Sequence, residues 1–219
     1  MTTRQIIANF LELQSIYAFT RRKLITADRY VTIAQKGLVS PRDYENQVLH
    51  ESLMEHVGHL PILATFMYSH LENKDKVDLG RVLIMLAIHD IGETITGEIF
   101  AYTKTDKEEQ EEYEAALSRL HPDLIPYMKE FEAAESWDAK FAKSMDSMAP
   151  NIHEMYMPKV TMARSAALGT GVDDIIKKKR KYMEWDPFLL ETFDLLMEQY
   201  RAAIEGREGS FKVEGYDVV

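Results

Sequence analysis

Residues 85–99 read MLAIHDIGETITGEI, and this stretch decides how the rest of the chain is interpreted. Its first four residues continue an apolar helical pattern, after which His89 and Asp90 follow side by side. Two acidic residues, Glu93 and Glu98, come within the next two helical turns. An ionised carboxylate buried without a partner is costly, and a divalent cation is an efficient partner for it. The stretch therefore directs attention to metal binding at the end of a buried helix.

The composition is that of a soluble globular protein. Of the 219 residues, 46% are hydrophobic and 28% are charged, which argues against a disordered or membrane-spanning class. No apolar run reaches the roughly 18 residues needed to cross a bilayer, and the N-terminal segment lacks the small-residue cleavage site of a signal peptide. We therefore expect a cytoplasmic protein that does not act at a membrane.

Charge and cysteine content narrow the chemistry. The chain contains no cysteine, which excludes disulfides, thiolate nucleophiles and zinc–thiolate sites. Any metal must then be held by His, Asp and Glu. The formal net charge of −10 disfavours a broad nucleic-acid interface, because phosphate backbones are bound by clustered Lys and Arg. The one basic cluster, KKKRK at 177–181, is typical of a solvated helix face.

Helical periodicity dominates the chain, and no convincing alternating strand pattern is present. We predict an all-α protein with a single domain over 1–219, a core motif region at about 49–157 and a loosely ordered tail at about 206–219. Helices are predicted at about 3–25, 49–70, 78–90, 137–156 and 187–204, with further helices after Gly97, after His121 and from Asp173. Residues of about 26–44 are predicted to form a loop.

Four side chains on segments that read as core helices form a candidate site: His56, His89, Asp90 and Asp146. Each taken singly is typical of a hydrogen-bonded core residue or a helix cap. Neighbouring helical residues point about 100° apart, so His89 and Asp90 reach one ion only near the helix axis or at a bend, which Gly92 is placed to provide. Two imidazoles and two carboxylates suit Mn, Co, Ni, Zn or Fe better than an all-oxygen site.

The spacing of these residues resembles a known family. The motifs are EH at 55–56, HD at 89–90 followed three residues later by Glu93, TGE at 96–98, and AKFAKSMD at 139–146. Together they resemble the HD-domain metal-dependent phosphohydrolases, and are most similar to the bacterial 5′-deoxynucleotidase branch and its eukaryotic counterpart. The resemblance extends over about 51–156 and implies an all-helical HD-domain fold.

The resemblance also implies a site. One divalent metal ion, whether Co, Mn, Ni, Zn, Fe or Mg, is expected on the four side chains of His56, His89, Asp90 and Asp146. Glu93 is expected to position or deprotonate the attacking water, and Glu98 to assist nearby. Asp90 and Glu93 are three residues apart, the helical spacing that brings side chains to one side. A homodimer is compatible with the resemblance.

Some positions depart from the family pattern. Glu98 stands where the family usually has Asp. The family also carries an Arg, often beside a Trp, some fifteen residues before the first metal-binding His. Arg42 is the nearest match in this chain, although no Trp accompanies it. Arg29 is the alternative. Lys104 lies in a differing loop, where its ammonium group could meet a phosphate. His59 is an optional fifth ligand.

We therefore expect a phosphomonoesterase that releases phosphate from (deoxy)nucleoside 5′-monophosphates by attack of a metal-bound water. Its partner would be a small phosphorylated molecule rather than a nucleic-acid polymer. Two alternatives remain open at this point. The substrate could be another nucleotide or small phosphate ester, or the chain could be a non-catalytic HD module that binds a nucleotide, since one fold hosts many functions.

Overall fold

The computed structural model describes residues 2–4, 53–97, 99, 101–154, 166, 169–207 and 209. Regular structure within these ranges is helical, without a strand, which confirms the all-α prediction. The α-helices are α1 (Leu53–Tyr68), α2 (Leu79–Ile88), α3 (Glu93–Thr96), α4 (Asp106–Arg119), α5 (Ile125–Ala133), α6 (Trp137–Glu154), α7 (Val172–Lys179) and α8 (Pro187–Glu205). Short 3-10 turns lie at Lys74–Lys76 and Arg180–Tyr182.

The chain divides into two compact units. One comprises Leu53–Ala149 and Lys181–Leu189, and it contains every described residue of the candidate site. The described part of the other unit consists mainly of 150–154, 169–180 and 190–207. The single domain expected over 1–219 stays a prediction. No helix in the described ranges is long and apolar enough to cross a membrane.

The predicted helices that fall in the described ranges match the structure closely. The pattern at 78–90 corresponds to α2, whose first turn is capped because the Asp78 side chain accepts hydrogen bonds from the backbone N–H groups of Gly80 and Arg81. Such a cap satisfies donors that have no partner inside the helix. The helix predicted at about 137–156 corresponds to α6, which continues through Pro150 to Glu154. The predicted helix at about 3–25, beyond residue 4, and the loop at 26–44 lie outside the described residues, as does most of the tail.

The core of the first unit lies between amphipathic helices. Helix α2 packs against both α1 and α5, and α3 packs against α4. The most deeply buried apolar side chains of α1, α2 and α6 are Leu60, Leu63, Ala64, Met67, Val82, Met85, Leu86, Ala139, Phe141, Ala142, Met145 and Met148. Removing this much apolar surface from water is the main stabilising contribution to the fold.

A second apolar cluster supports the end of α2. Ile88 is buried together with Ala116, Leu120 and Met128 from α4 and the start of α5. Just beyond, a Cβ atom added at Gly92 would collide with the backbone carbonyl of Glu112 on α4. Gly92 itself has helical backbone angles, with φ −62° and ψ −37°. The glycine is therefore required by the close approach of α3 to α4, and not by an unusual backbone bend.

Candidate metal centre

Four side chains from three segments meet at the end of α2. His56 comes from α1, His89 and Asp90 are the two residues that follow the end of α2, and Asp146 comes from α6. Asp146 Oδ1 lies 3.2 Å from His56 Nε2 and 3.3 Å from His89 Nε2. Asp90 Oδ2 lies 3.5 Å and 3.1 Å from the same two nitrogens. The structure thus brings together all four side chains predicted as metal ligands.

The ligand atoms are not all equidistant. The nearest donor atoms of His56, His89 and Asp146 all lie within 4.8 Å of one another. Asp90 contacts both imidazole nitrogens but falls outside this group of three. His56, His89 and Asp146 therefore form the tighter group, and Asp90 contacts it through the two imidazole nitrogens.

The protonation of His89 follows from its second contact. Its Nδ1 lies 3.1 Å from the carbonyl oxygen of Leu86, and because a carbonyl only accepts, Nδ1 carries the proton and donates. Nε2 then turns a lone pair toward the carboxylates of Asp90 and Asp146, unless a proton or a cation lies between them. Metal-binding histidines commonly donate their other ring N–H to a backbone carbonyl in this way.

The electrostatic balance of the cluster calls for positive charge. Burial lowers the pKa of His89, but the carboxylates of Asp146 and Asp90 outweigh it and raise the pKa to about 10. Burial likewise raises the pKa of Asp146, but the imidazoles of His89 and His56 hold it well below its ordinary value. In the absence of a metal, a proton on His89 supplies the positive charge that the two carboxylates stabilise.

The arrangement fits a divalent ion. Nitrogen and carboxylate ligands bind transition metals at about 2.0–2.2 Å, so neighbouring ligands of one ion lie about 3.0 Å apart in octahedral and about 3.4 Å apart in tetrahedral geometry. The imidazole–carboxylate separations of 3.1 Å to 3.5 Å are close to these values. The side chain of His89 is 2% exposed, whereas that of Asp146 is 30% exposed. Solvent therefore reaches the cluster on the Asp146 side.

Glu93 opens the short helix α3, and its backbone N–H donates to the carbonyl of Asp90 at 3.0 Å. Its side chain is half-buried. The residue is thus tied by a single turn to one of the four clustered side chains. Glu98, Arg42 and Arg29, which the sequence also suggested for the site, lie outside the described residues.

Lys104 is held by a carboxylate that the sequence did not single out. Its Nζ lies 2.5 Å from Glu112 Oε2, and both side chains are largely buried. Burial lowers the pKa of Lys104, but the hydrogen bond that Lys104 donates to Glu112 and the nearby charges of Glu112, Glu93 and Glu109 raise it above its ordinary value. Glu112 lies in the run EEQEEYE, where nothing in the sequence distinguishes it from its neighbours.

Two further residues lie near this centre in the chain or in space, His59 and Lys143. His59 is fully buried but does not belong to the group of converging donor atoms, so the structure does not place it as a fifth ligand. Lys143 lies over the ring of Phe131, 3.9 Å from its centroid. The same ring packs against the His89 imidazole with centroids 5.0 Å apart. Phe131, which the sequence analysis missed, therefore restrains the His89 ring.

The chain is similar to known proteins in family and fold. The family model of the HD domain matches residues 41–180. The crystal structure of a predicted metal-dependent phosphohydrolase from Magnetospirillum magnetotacticum MS-1 is similar, with a TM-score of 0.59 and 20% sequence identity, over 93% of this chain and 98% of that chain. At this identity the similarity shows a shared fold. No curated protein matches the chain.

Proposed function

The chain belongs to the HD domain family, and we propose that it is a metal-dependent phosphohydrolase that releases phosphate from nucleoside 5′-monophosphates. One observation carries the proposal: donor atoms of His56, His89 and Asp146 lie within 4.8 Å of one another, and Asp90 Oδ2 lies within 3.5 Å of both imidazole nitrogens. The similarity to a protein described as a predicted metal-dependent phosphohydrolase supports the reaction class. The nucleotide substrate is our proposal from the sequence motifs.

We assign to these four side chains one divalent ion, which is Co, Mn, Ni, Zn, Fe or Mg. When bound, a divalent ion lowers the pKa of water and offsets the negative charge of a phosphate. The exposed side of Asp146 leaves room for water and for a phosphate oxygen to reach the centre. The buried imidazole of His89, fixed by Leu86 and Phe131, orients the donor set.

We assign Glu93 the role of general base. It accepts a proton from the attacking water as the water oxygen bonds to phosphorus, while the bond from phosphorus to the 5′ oxygen breaks. The departing 5′ oxygen takes a proton from solvent water, and the nucleoside leaves as the alcohol. A general base contributes roughly 100-fold to 10,000-fold to a rate when it lies within reach of the proton. We give Glu98 an assisting role in the same proton transfer, as the resemblance implies.

We assign Lys104 to the phosphate of the substrate. The negative charges of Glu112 and Glu93 raise the pKa of Lys104 and so keep its ammonium group charged. An ammonium group acts as a point charge toward phosphate. Arg42, with Arg29 as the alternative, is proposed as a second phosphate contact. Substituting Lys104 by Met should raise KM for a monophosphate more than it lowers kcat, because the contact exists before the reaction begins.

A panel assay tests the proposal. The full chain, loaded with Co²⁺ or Mn²⁺, is incubated with nucleoside 5′-monophosphates, the corresponding triphosphates and cyclic dinucleotides, and released phosphate is measured. We expect turnover of the monophosphates. His89→Ala should lose activity because the ion is no longer held, and Glu93→Ala should lose at least about 100-fold because the base is absent.

His121→Ala is the matched control, because this histidine is largely exposed and pairs only with its neighbour Asp123 among the contacts described. It should retain full activity. Full activity in both His89→Ala and Glu93→Ala would contradict the mechanism. Turnover of triphosphates or cyclic dinucleotides alone would retain the reaction class and replace the substrate. Tight nucleotide binding without turnover under any metal would indicate a non-catalytic module instead.

A further inference from the structure

A second polar cluster lies at the opposite end of α2 from the candidate metal centre. We call Arg81, Glu130 and Asp138 the start cluster. Asp138, near the start of α6, accepts a hydrogen bond from the backbone N–H of Asp78 at 2.7 Å and another from Arg81 Nε at 3.0 Å. Each of its two oxygens therefore holds one residue at the start of α2.

The same guanidinium reaches a third helix. Arg81 Nη2 donates to Glu130 Oε2 near the end of α5, and Glu130 Oε1 accepts a hydrogen bond from Ser136 Oγ at 2.6 Å. Ser136 in turn accepts from the backbone N–H of Ala139 in the first turn of α6. The start cluster thus fixes the beginnings of α2 and α6 to each other and to α5.

The contacts at the two ends of α2 share one register. Arg81 and Asp138 are 57 residues apart in the sequence, and so are His89 and Asp146. Helices α2 and α6 therefore advance by the same number of residues between the two contacts and run in the same direction. At 1.5 Å per residue the contacts lie about 12 Å apart along each helix.

The placement of Arg81 is itself unusual. A cation in the first turn of a helix faces the positive end of the helix dipole, which is unfavourable without a compensating acid. Asp138 is buried, and with Glu130 it provides that compensation. An arginine fork held by two carboxylates fixes geometry as well as charge, because its N–H groups point in set directions.

From this shared register we propose that Arg81 and Asp138 are positioning residues, which set the position of α2 along α6 and thereby bring His89 to Asp146 at ligand distance. The inference rests on the proposed metal site. A slip by one residue would move the two side chains by about 1.5 Å along the helix axis, whereas metal–ligand distances tolerate only about 0.2 Å. Loosening the start cluster should therefore weaken metal binding from about 12 Å away.

Metal affinity measured without turnover tests this inference. Metal-free protein is titrated with Co²⁺ and followed by visible absorbance, which also reports the ligand geometry. We expect Arg81→Met and Asp138→Asn each to bind Co²⁺ about tenfold more weakly, in line with losses seen for residues that orient metal ligands. The double variant should lose less than the sum of the two single losses, because both substitutions break the shared contact between Arg81 and Asp138. Arg81→Lys should lose less.

The matched control is Asp194→Asn. Asp194 on α8 accepts two hydrogen bonds from Arg180, at 3.0 Å and 2.9 Å, so the substitution disturbs an equivalent arginine–carboxylate pair. The variant should leave the Co²⁺ affinity unchanged. Unchanged affinity in Asp138→Asn and Arg81→Met would overturn the inference, as would losses that add in the double variant. If Asp138→Asn does not fold, the comparison of Arg81→Lys with Arg81→Met decides.

The titration separates this inference from the proposed function. An unaltered chain that binds Co²⁺ but releases no phosphate would overturn the proposed reaction and leave the positioning role standing. An active, Co²⁺-binding chain whose start-cluster variants bind Co²⁺ equally well would overturn the positioning role alone. Absence of Co²⁺ binding by the unaltered chain would overturn both.

Discussion

The two ends of α2 carry polar clusters of opposite character. In the start cluster, Asp138 and Glu130 each accept hydrogen bonds from groups that always carry a proton, namely a guanidinium, a backbone N–H and a hydroxyl. At the other end, the carboxylates of Asp90 and Asp146 face imidazole nitrogens. His89 donates its Nδ1–H to the carbonyl oxygen of Leu86, so this proton is not available to the carboxylates.

The difference separates structural polarity from a binding site. A buried carboxylate that is fully hydrogen-bonded and paired needs nothing further. Two carboxylates that face the lone pair of an imidazole need an added positive charge, either a proton or a metal ion. A high count of polar contacts is thus a poor guide to function, and the donors available to each acceptor are a better one.

The largest expected effect comes from removing a carboxylate at the metal centre. Asp146→Asn replaces a charged ligand by a neutral one between His56 and His89. We expect the Co²⁺ affinity to fall by about 100-fold or more, since charge supplies much of the attraction for a divalent ion. Titration of the metal-free protein measures it. Asp173→Asn, at an exposed position on α7, is the control, and an equal loss in both variants would contradict the assignment.

Metal binding should also stabilise the fold. An ion that binds only the folded state at about 100 times its Kd raises the free energy of unfolding by about 2.7 kcal/mol. Urea unfolding with and without Co²⁺ measures this gain, which a chelator should reverse. Asp146→Asn should show little of it, whereas Asp194→Asn should show all of it. A gain of the same size in Asp146→Asn would mean that Co²⁺ stabilises the protein from another site.

Much of the fold followed from local pattern. The apolar stripe of α2 and its capping residue Asp78 are adjacent in sequence, so periodicity and capping rules identify the helix and its start. The adjacency of His89 and Asp90 likewise drew attention to the site. His56 and Asp146 lie on other helices, and singly each reads as an ordinary core residue. Their grouping with His89 and Asp90 was a hypothesis from the residue types, and the resemblance to a family implied that all four hold one ion.

The contacts of Arg81 and Lys104 did not follow from the sequence, because each depends on which acid lies opposite in the folded chain. Glu112 is one of several glutamates on α4. Only the folded structure, in which Glu112 lies against Gly92, shows that this glutamate is the one that pairs with Lys104. Arg81 did offer a signal: a cation in the first turn of a helix implies an acidic partner. That signal does not identify Asp138, which is remote in sequence.

Gly92 tests the close packing of α3 against α4, a contact that depends on shape rather than on charge. Gly92→Ala places a methyl group against the backbone carbonyl of Glu112, and overpacking of this kind costs about 1–3 kcal/mol. Urea unfolding of the metal-free protein should show the loss. Gly58→Ala is the matched control, because a Cβ at that position of α1 meets nothing within 4 Å and alanine favours a helix. Equal stability of the two variants would contradict the close approach of α3 and α4.

The smallest effect concerns the Lys104–Glu112 pair, which resembles the start cluster in being paired but lies near Glu93. In Glu112→Gln the lysine keeps a neutral partner and loses a competing anion, so its charge becomes more available to a phosphate. We expect KM for a nucleoside monophosphate to fall about threefold with kcat nearly unchanged, a change within the range of partly exposed ion pairs.

Glu111→Gln, which removes the exposed partner of Lys107 on the same helix, controls for net charge. If both variants change KM equally, long-range charge accounts for the effect and Lys104 has no direct contact with substrate. A rise in KM in Glu112→Gln alone would instead mean that Glu112 holds Lys104 in the position from which it binds phosphate.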